Sequence, residues 1–195
     1  MFVCDKSKHL FIVPMKCASQ SYVEHFKSTS YIDLSADKEL DDIPLTGAAK
    51  LVVIAEKTGR DLTQYKKTLV VRDPVQWLVS GYRFQCSLIN RKSPDYPKSF
   101  YAHLKRVKND DKSDLFWSDH CSVMPDQYYF YDCEIVKLEN TKLKHKVNVT
   151  PKRVPYPKLS NKCVKLIKEI TKEYCFRFAY NIEDSIKYYN GNTVY

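Results

Sequence analysis

Residues 9–21 read HLFIVPMKCASQS. The first five are a short apolar run with β-branched members, the pattern of a buried strand. Pro14 ends it. Small and polar residues follow, and then Ala18, Tyr22, Val23 and Phe26 recur at helical spacing. The stretch is therefore a strand, a tight turn and the start of a helix. The same grammar returns at residues 68–82. TLVV makes a strand, Arg72-Asp73-Pro74 breaks it, and Val75, Leu78, Val79 and Tyr82 mark a helical stripe. Asp73 suits the N-cap, and Pro74 suits the first helical position.

Working outward, residues 51–55 (LVVIA) and 134–138 (EIVKL) read as further strands. Residues 91–115 are polar, with Pro94 and Pro97, and carry a short helix around Phe100, Leu104 and Val107. Ser160 caps a last helix running to about residue 178, with Val164, Ile167, Ile170 and Tyr174 inward. Alternating strands and helices predict an α/β fold, a central mainly parallel sheet flanked by helices. The length of 195 residues predicts a single domain over residues 1–195.

Composition narrows the classes. Hydrophobic residues are 44% and aromatic residues 13%, which excludes a disordered or collagen-like chain. No stretch approaches the roughly 18 apolar residues of a membrane span. The N-terminal apolar run is too short and too close to charges for a secretory signal peptide. The seven cysteines are scattered and form no CxxC pair. Reduced thiols in a cytoplasmic setting are the expectation. The sequon at Asn148 carries little weight without secretion.

The net charge of +9 is local. Residues 137–172 hold eleven Lys and Arg against Glu139 and Glu169, while the rest of the chain has 21 of each sign. Such a block binds anions or is the wet face of a helix, and both readings stay open.

In a parallel sheet, ligands bind at the carboxyl ends of the strands. Two of these ends carry distinctive chemistry. After the first strand, Lys16 brings a full charge beside a helix N-terminus, whose N–H groups and dipole favour anions. Ser19 and Ser21 add hydroxyl donors. This is the placement of a phosphate loop without the GxxxxGK[ST] of Walker A. After the third strand, Arg72 can fork onto a phosphate, and Ser80 and Arg83 lie at i and i+3 on the helix.

Together the two segments resemble the sulfotransferase superfamily. Residues 11–21 look like its 5′-phosphosulfate loop, and residues 70–83 resemble its 3′-phosphate motif. Their order and spacing suit the carbohydrate-type, Golgi-related branch that includes chondroitin and heparan sulfate enzymes. Asp119-His120 and Pro125-Asp126-Gln127-Tyr128 are similar to its His and Pro-Gln segment. Residues 135–139 resemble the following strand that ends in Glu, residues 147–153 a late loop, and residues 174–180 a tyrosine-rich helix end. The resemblance spans about residues 9–180. Met15 stands between Pro14 and Lys16, where most members have Pro directly before Lys. No membrane anchor is expected, so the chain reads as a short soluble member of bacterial or viral type.

The resemblance implies a P-loop NTPase-like sulfotransferase fold and PAPS (3′-phosphoadenosine 5′-phosphosulfate) as sulfuryl donor. It implies in-line transfer to a hydroxyl or amine of a carbohydrate-type acceptor, with no metal and no nucleic-acid partner. The donor site would comprise Lys16, Cys17, Ala18, Ser19, Gln20, Ser21, Arg72, Ser80, Arg83, Lys152 and Arg153. Lys16 would stabilise charge on the leaving group. The general base is open between His120, whose imidazole suits neutral pH, and Glu56, which follows the LVVIA strand. The readings against which this stands are a kinase-like nucleotide enzyme, a nucleic-acid-binding module using residues 137–172, and a catalytically dead scaffold.

Overall fold

A computed structural model describes residues 1–14, 16–34, 57–88, 96–109, 132–143 and 154–192. These divide into two compact units. One comprises Met1–Val71 with Met124–Val147, the other Arg72–Val123 with Asn148–Tyr195.

The first unit is a mixed α/β body. Its strands are β1 (Phe2–Cys4), β2 (His9–Ile12), β3 (Ile32–Asp33), β4 (Lys66–Val71) and β5 (Cys133–Lys137), and helix α1 spans Ser19–Phe26. The sheet order is β3-β1-β2-β4-β5. β2 pairs parallel with β4, from His9 opposite Lys66 to Ile12 opposite Leu69, and β4 pairs parallel with β5. β1 runs antiparallel to both β2 and β3. Four of the five described strands thus share one direction, and β1 alone opposes them.

That opposing strand is not legible in the apolar pattern, because it is only three residues long. It is wholly buried, with Phe2, Val3 and Cys4 at most 2% exposed. A turn over residues 5–8 joins it to β2, with Lys8 in the left-handed region (φ 48). Asp5 holds this turn down. Its carboxylate accepts from Arg60 Nε and Nη2, both at 2.9 Å, and from the Tyr65 hydroxyl. The Arg60 guanidinium, first among these, keeps its pKa near about 2.

α1 buries Tyr22 and Phe26 on a core of Phe2, Val13, Cys17 and Val70. Rings dominate this core, with Phe26 at 4.9 Å from Phe2 and 4.4 Å from Tyr31. The expected strand at residues 51–55 lies outside the described residues.

The second unit is helical: α2 (Pro74–Leu88), α3 (Phe100–Lys108), α4 (Asn161–Arg177) and α5 (Ile182–Asn192). α2 packs on the other three, and α4 packs on α3 and α5. The starts follow capping chemistry. Ser99 accepts from Ala102 N–H, Ser160 from Cys163 N–H, and Asn181 from Glu183 N–H. α5 was not anticipated, since its composition is polar and its signals, Asn181 with Glu183 and Asp184 in the first turn, are local.

The inward face of α4 differs from expectation. Ile167 and Tyr174 are buried, whereas Val164 and Ile170 are half-buried, and Cys163, Thr171 and Cys175 complete the face. Thr171 can be buried because its hydroxyl donates to the Ile167 carbonyl at 2.7 Å.

His103 of α3 is 1% exposed and shares a hydrogen bond of 3.0 Å with the Gln85 side chain. Burial pushes its pKa down to about 3. The unfolded chain therefore binds a proton that the fold excludes between roughly pH 6.5 and 3. This contribution to stability is complete above about pH 6.5 and declines as pH falls, by up to about 1.4 kcal/mol per pH unit. Urea unfolding between pH 7 and 4.5 should show this loss. His103→Leu should flatten the slope while lowering stability at pH 7.

Candidate functional site

Two segments carry the chemistry, and each is built within one unit.

In the first unit, the chain leaves β2 and turns sharply. Cys17 N–H donates to the Pro14 carbonyl at 3.1 Å, which closes a four-residue turn. Lys16, its third residue, is left-handed at φ 66. Ala18 repeats that conformation at φ 64 and is the N-cap of α1. Neither residue is glycine, so each costs about 1–2 kcal/mol of backbone strain. The surrounding packing over-determines the turn: Val13 before it and Cys17 within it are buried in the aromatic core.

The consequence is an unusual helix start. Ala18 has no side chain that can cap, and no side-chain cap bond forms there. The helix's first carbonyl acceptor is Ala18, from Tyr22 N–H at 3.1 Å, so the Ser19 and Gln20 N–H groups precede the ladder. No acidic residue occupies the first turn. Lys16 is half-buried two residues ahead of it. The dipole end, the early amides and an ammonium group thus combine in one short loop, which favours an anion. Ser19 is half-buried, Gln20 exposed and Ser21 buried. Cys17 contributes packing, and its amide is committed to Pro14. His25, further along α1, lies edge-on to Phe26 at 5.1 Å.

The second unit begins at Arg72. Its backbone is held by Tyr174 of α4: the Tyr174 hydroxyl accepts from Arg72 N–H at 3.1 Å and donates to the Arg72 carbonyl at 2.9 Å. The Arg72 side chain reaches Gln76 Oε1 at 3.4 Å. Asp73 caps α2 as the sequence indicated, accepting from Gln76 N–H at 2.9 Å, and Pro74 is the first helical residue.

Ser80 is half-buried on α2, and Arg83, one turn on, is 7% exposed. Arg83 Nε donates to the Val154 carbonyl at 2.9 Å. Its guanidinium lies over the Tyr156 ring, 3.8 Å from the centroid. One edge and one face of this guanidinium thus work within the unit, clasping the segment around residue 154.

Tyr174, Gln76, Val154 and Tyr156 were not identified as site residues. Their partners are distant in sequence, and no local pattern announces them. Glu56, His120, Lys152 and Arg153 lie outside the described residues.

Of the basic block, Lys162, Lys165, Lys168 and Lys172 are exposed on α4, opposite its buried face. Lys168 pairs with Glu183. Among the described residues no His, Cys, Asp and Glu cluster suits a metal ion. None of the described helices is long and apolar enough to cross a membrane.

The family model described as the sulfotransferase family matches residues 1–120. The match includes both the Lys16 loop and the Arg72–Arg83 helix start. No curated protein and no solved structure matches the chain at a significant level.

Two outcomes follow from this geometry. Ala18→Gly should raise stability by about 0.5–1 kcal/mol in urea unfolding, because glycine adopts the left-handed cap without strain. Arg83→Ala should lower it by about 1–3 kcal/mol, since the buried Val154 carbonyl loses its donor. Arg83→Lys should recover only part of that loss.

Proposed function

The chain belongs to the sulfotransferase family, and from that premise we propose that it transfers a sulfuryl group from PAPS to a hydroxyl or amine of a carbohydrate-type acceptor. It does so as one sulfotransferase-like domain over residues 1–195. The observation that carries this reading is the entry to α1. Two non-glycine residues hold left-handed conformations there, and the helix start they create has no side-chain cap. Backbone strain of that kind persists where a loop must present amides to a ligand.

The residues fit a phosphosulfate group. Lys16 and the first-turn amides of α1 supply positive potential, and the Ser19 hydroxyl supplies a further donor. Arg72 and Ser80 take the 3′-phosphate, the group that separates PAPS from ATP-like ligands. Arg83 supports the same end through its hold on the segment at Val154, with Lys152 and Arg153 as a late clamp. No metal is called for.

The donor supplies an activated sulfuryl group with adenosine 3′,5′-bisphosphate as its leaving group. In the transfer, the acceptor oxygen or nitrogen forms a bond to sulfur as the bridging bond from sulfur to the phosphate oxygen breaks. The electron pair of that bond leaves with the phosphate. Lys16 stabilises the charge that grows on the bridging oxygen, and this interaction is strongest in the transition state. The acceptor's proton passes to a base, for which His120 and Glu56 are the candidates. Positioning and electrostatics account for most of the acceleration, as in phosphoryl transfer. The exposed lysines of α4 suit an anionic acceptor, whose capture would weaken with salt.

The test is transfer of label from [³⁵S]PAPS to glycans, lipids and tyrosine peptides. Lys16→Ala should lower kcat about 100-fold or more, with a smaller change in PAPS affinity. Arg72→Ala should raise the Kd for adenosine 3′,5′-bisphosphate by about 10- to 100-fold, as expected for a lost charge-assisted contact. If neither substitution alters its parameter, the assignment of these motifs is wrong. A larger thermal shift with ATP and Mg²⁺ than with PAPS would favour a kinase-like enzyme instead.

A further inference from the structure

Arg72 occupies an awkward place in the chain. The last residue of β4 is Val71, paired with Lys137. α2 begins at Pro74. Arg72 lies between these elements, so neither the strand ladder nor the helix takes its peptide groups. Buried or half-buried peptide groups must find partners elsewhere. Here a single side-chain oxygen supplies both. Tyr174, 102 residues away, accepts from the Arg72 N–H and donates to the Arg72 carbonyl.

The geometry has a specific effect. The N–H and the carbonyl flank the same Cα, so fixing both fixes φ and ψ of Arg72. The direction of its Cα–Cβ bond follows. The clamp is itself rigid. Tyr174 is 2% exposed, and its ring packs on Trp77 at 5.6 Å, Phe178 at 4.7 Å and Tyr180 at 5.9 Å. A tyrosine ring needs no hydroxyl for such packing. The oxygen is retained where it has a polar task.

We propose that Tyr174 is a positioning residue for donor recognition: its hydroxyl sets the backbone of Arg72 so that the guanidinium is presented to the 3′-phosphate. This rests on the reading of Arg72 given above. Tyr174 itself touches no donor atom. Its contribution is preorganisation, because an arginine whose backbone wanders must be ordered again on each binding event.

The experiment compares two ligands, adenosine 3′,5′-bisphosphate and adenosine 5′-monophosphate, by calorimetric titration. They share the adenosine and the 5′-phosphate, so the ratio of their Kd values isolates the 3′-phosphate. In the unmodified protein the bisphosphate should bind at least tenfold tighter. Arg72→Ala should bring the ratio close to one. Tyr174→Phe, which keeps the ring and removes the hydroxyl, should reduce the ratio about three- to tenfold. The Arg72→Ala/Tyr174→Phe double variant should behave as Arg72→Ala alone, since the hydroxyl acts through that arginine. A purely structural tyrosine would lower the melting temperature of Tyr174→Phe and leave the ratio unchanged, and that result overturns the proposal. A ratio unchanged in Arg72→Ala would instead overturn the reading of Arg72 on which the proposal rests. If Tyr174→Phe does not fold, 4-aminophenylalanine at position 174 serves. Its amine donates to the carbonyl but accepts poorly from the N–H, so the ratio should fall about twofold. No fall there overturns the proposal equally.

Discussion

The parallel ladder between β2 and β4 is the constraint from which the rest follows. Ile12 opposite Leu69 puts the carboxyl ends of these two strands at the same edge of the sheet. Neighbouring strands lie roughly 4.8 Å apart. The chain leaves each end into a segment rich in positive charge: Lys16 after the first, Arg72 after the second. Open α/β sheets bind ligands at this edge because helix N-termini and irregular loops collect there. β1, by opposing the others, leaves β2 inside the sheet rather than at its margin. Val3, Leu10 and Leu69 are all fully buried as a result.

Both charged segments are shaped by packing far more than by their own preferences. Lys16 and Ala18 would not choose left-handed backbone in a free peptide. The buried Cys17 and the ring cluster of Phe2, Tyr22 and Phe26 impose it. Arg72 has no regular partner for its peptide groups, and Tyr174 provides one. In each case stability from an apolar core maintains a polar backbone in a less favoured state. Such preorganisation is how an electrostatic site keeps its donors in place before the ligand arrives.

Much of this was legible in the sequence where the signals were local. The strand–Arg-Asp-Pro–helix grammar placed β4 and α2 within a few residues. Asp73 and Ser160 were readable as caps because capping is chemistry within one turn. What escaped the reading was long-range or conformational. β1 is too short for a periodic pattern. α5 has few apolar residues, and its burial comes from Ile186 and Tyr189 against other helices. The buried face of α4 turned on Thr171, whose hydroxyl disappears into a backbone bond. Nothing in KCAS announces two left-handed residues, since glycine and asparagine are absent. The partners of Arg72 and Arg83 lie 102 and 71 residues away. Of the fine chemistry, Lys16, Ser19, Arg72, Ser80 and Arg83 were identified as residues, but Arg83 proved to be a clasp on Val154 as well as a charge. The net charge likewise resolved into places: four lysines of the basic block form the solvent face of α4.

The most direct test of the central claim is a metal-free titration of the unmodified protein with PAPS, followed by recovery of the nucleotide product after incubation with a sulfatable glycan mixture. The account predicts one binding site and stoichiometric appearance of adenosine 3′,5′-bisphosphate with sulfate ester on the glycan. Absence of binding under these conditions, or binding that ATP with Mg²⁺ displaces at lower concentration than adenosine 3′,5′-bisphosphate does, would contradict it.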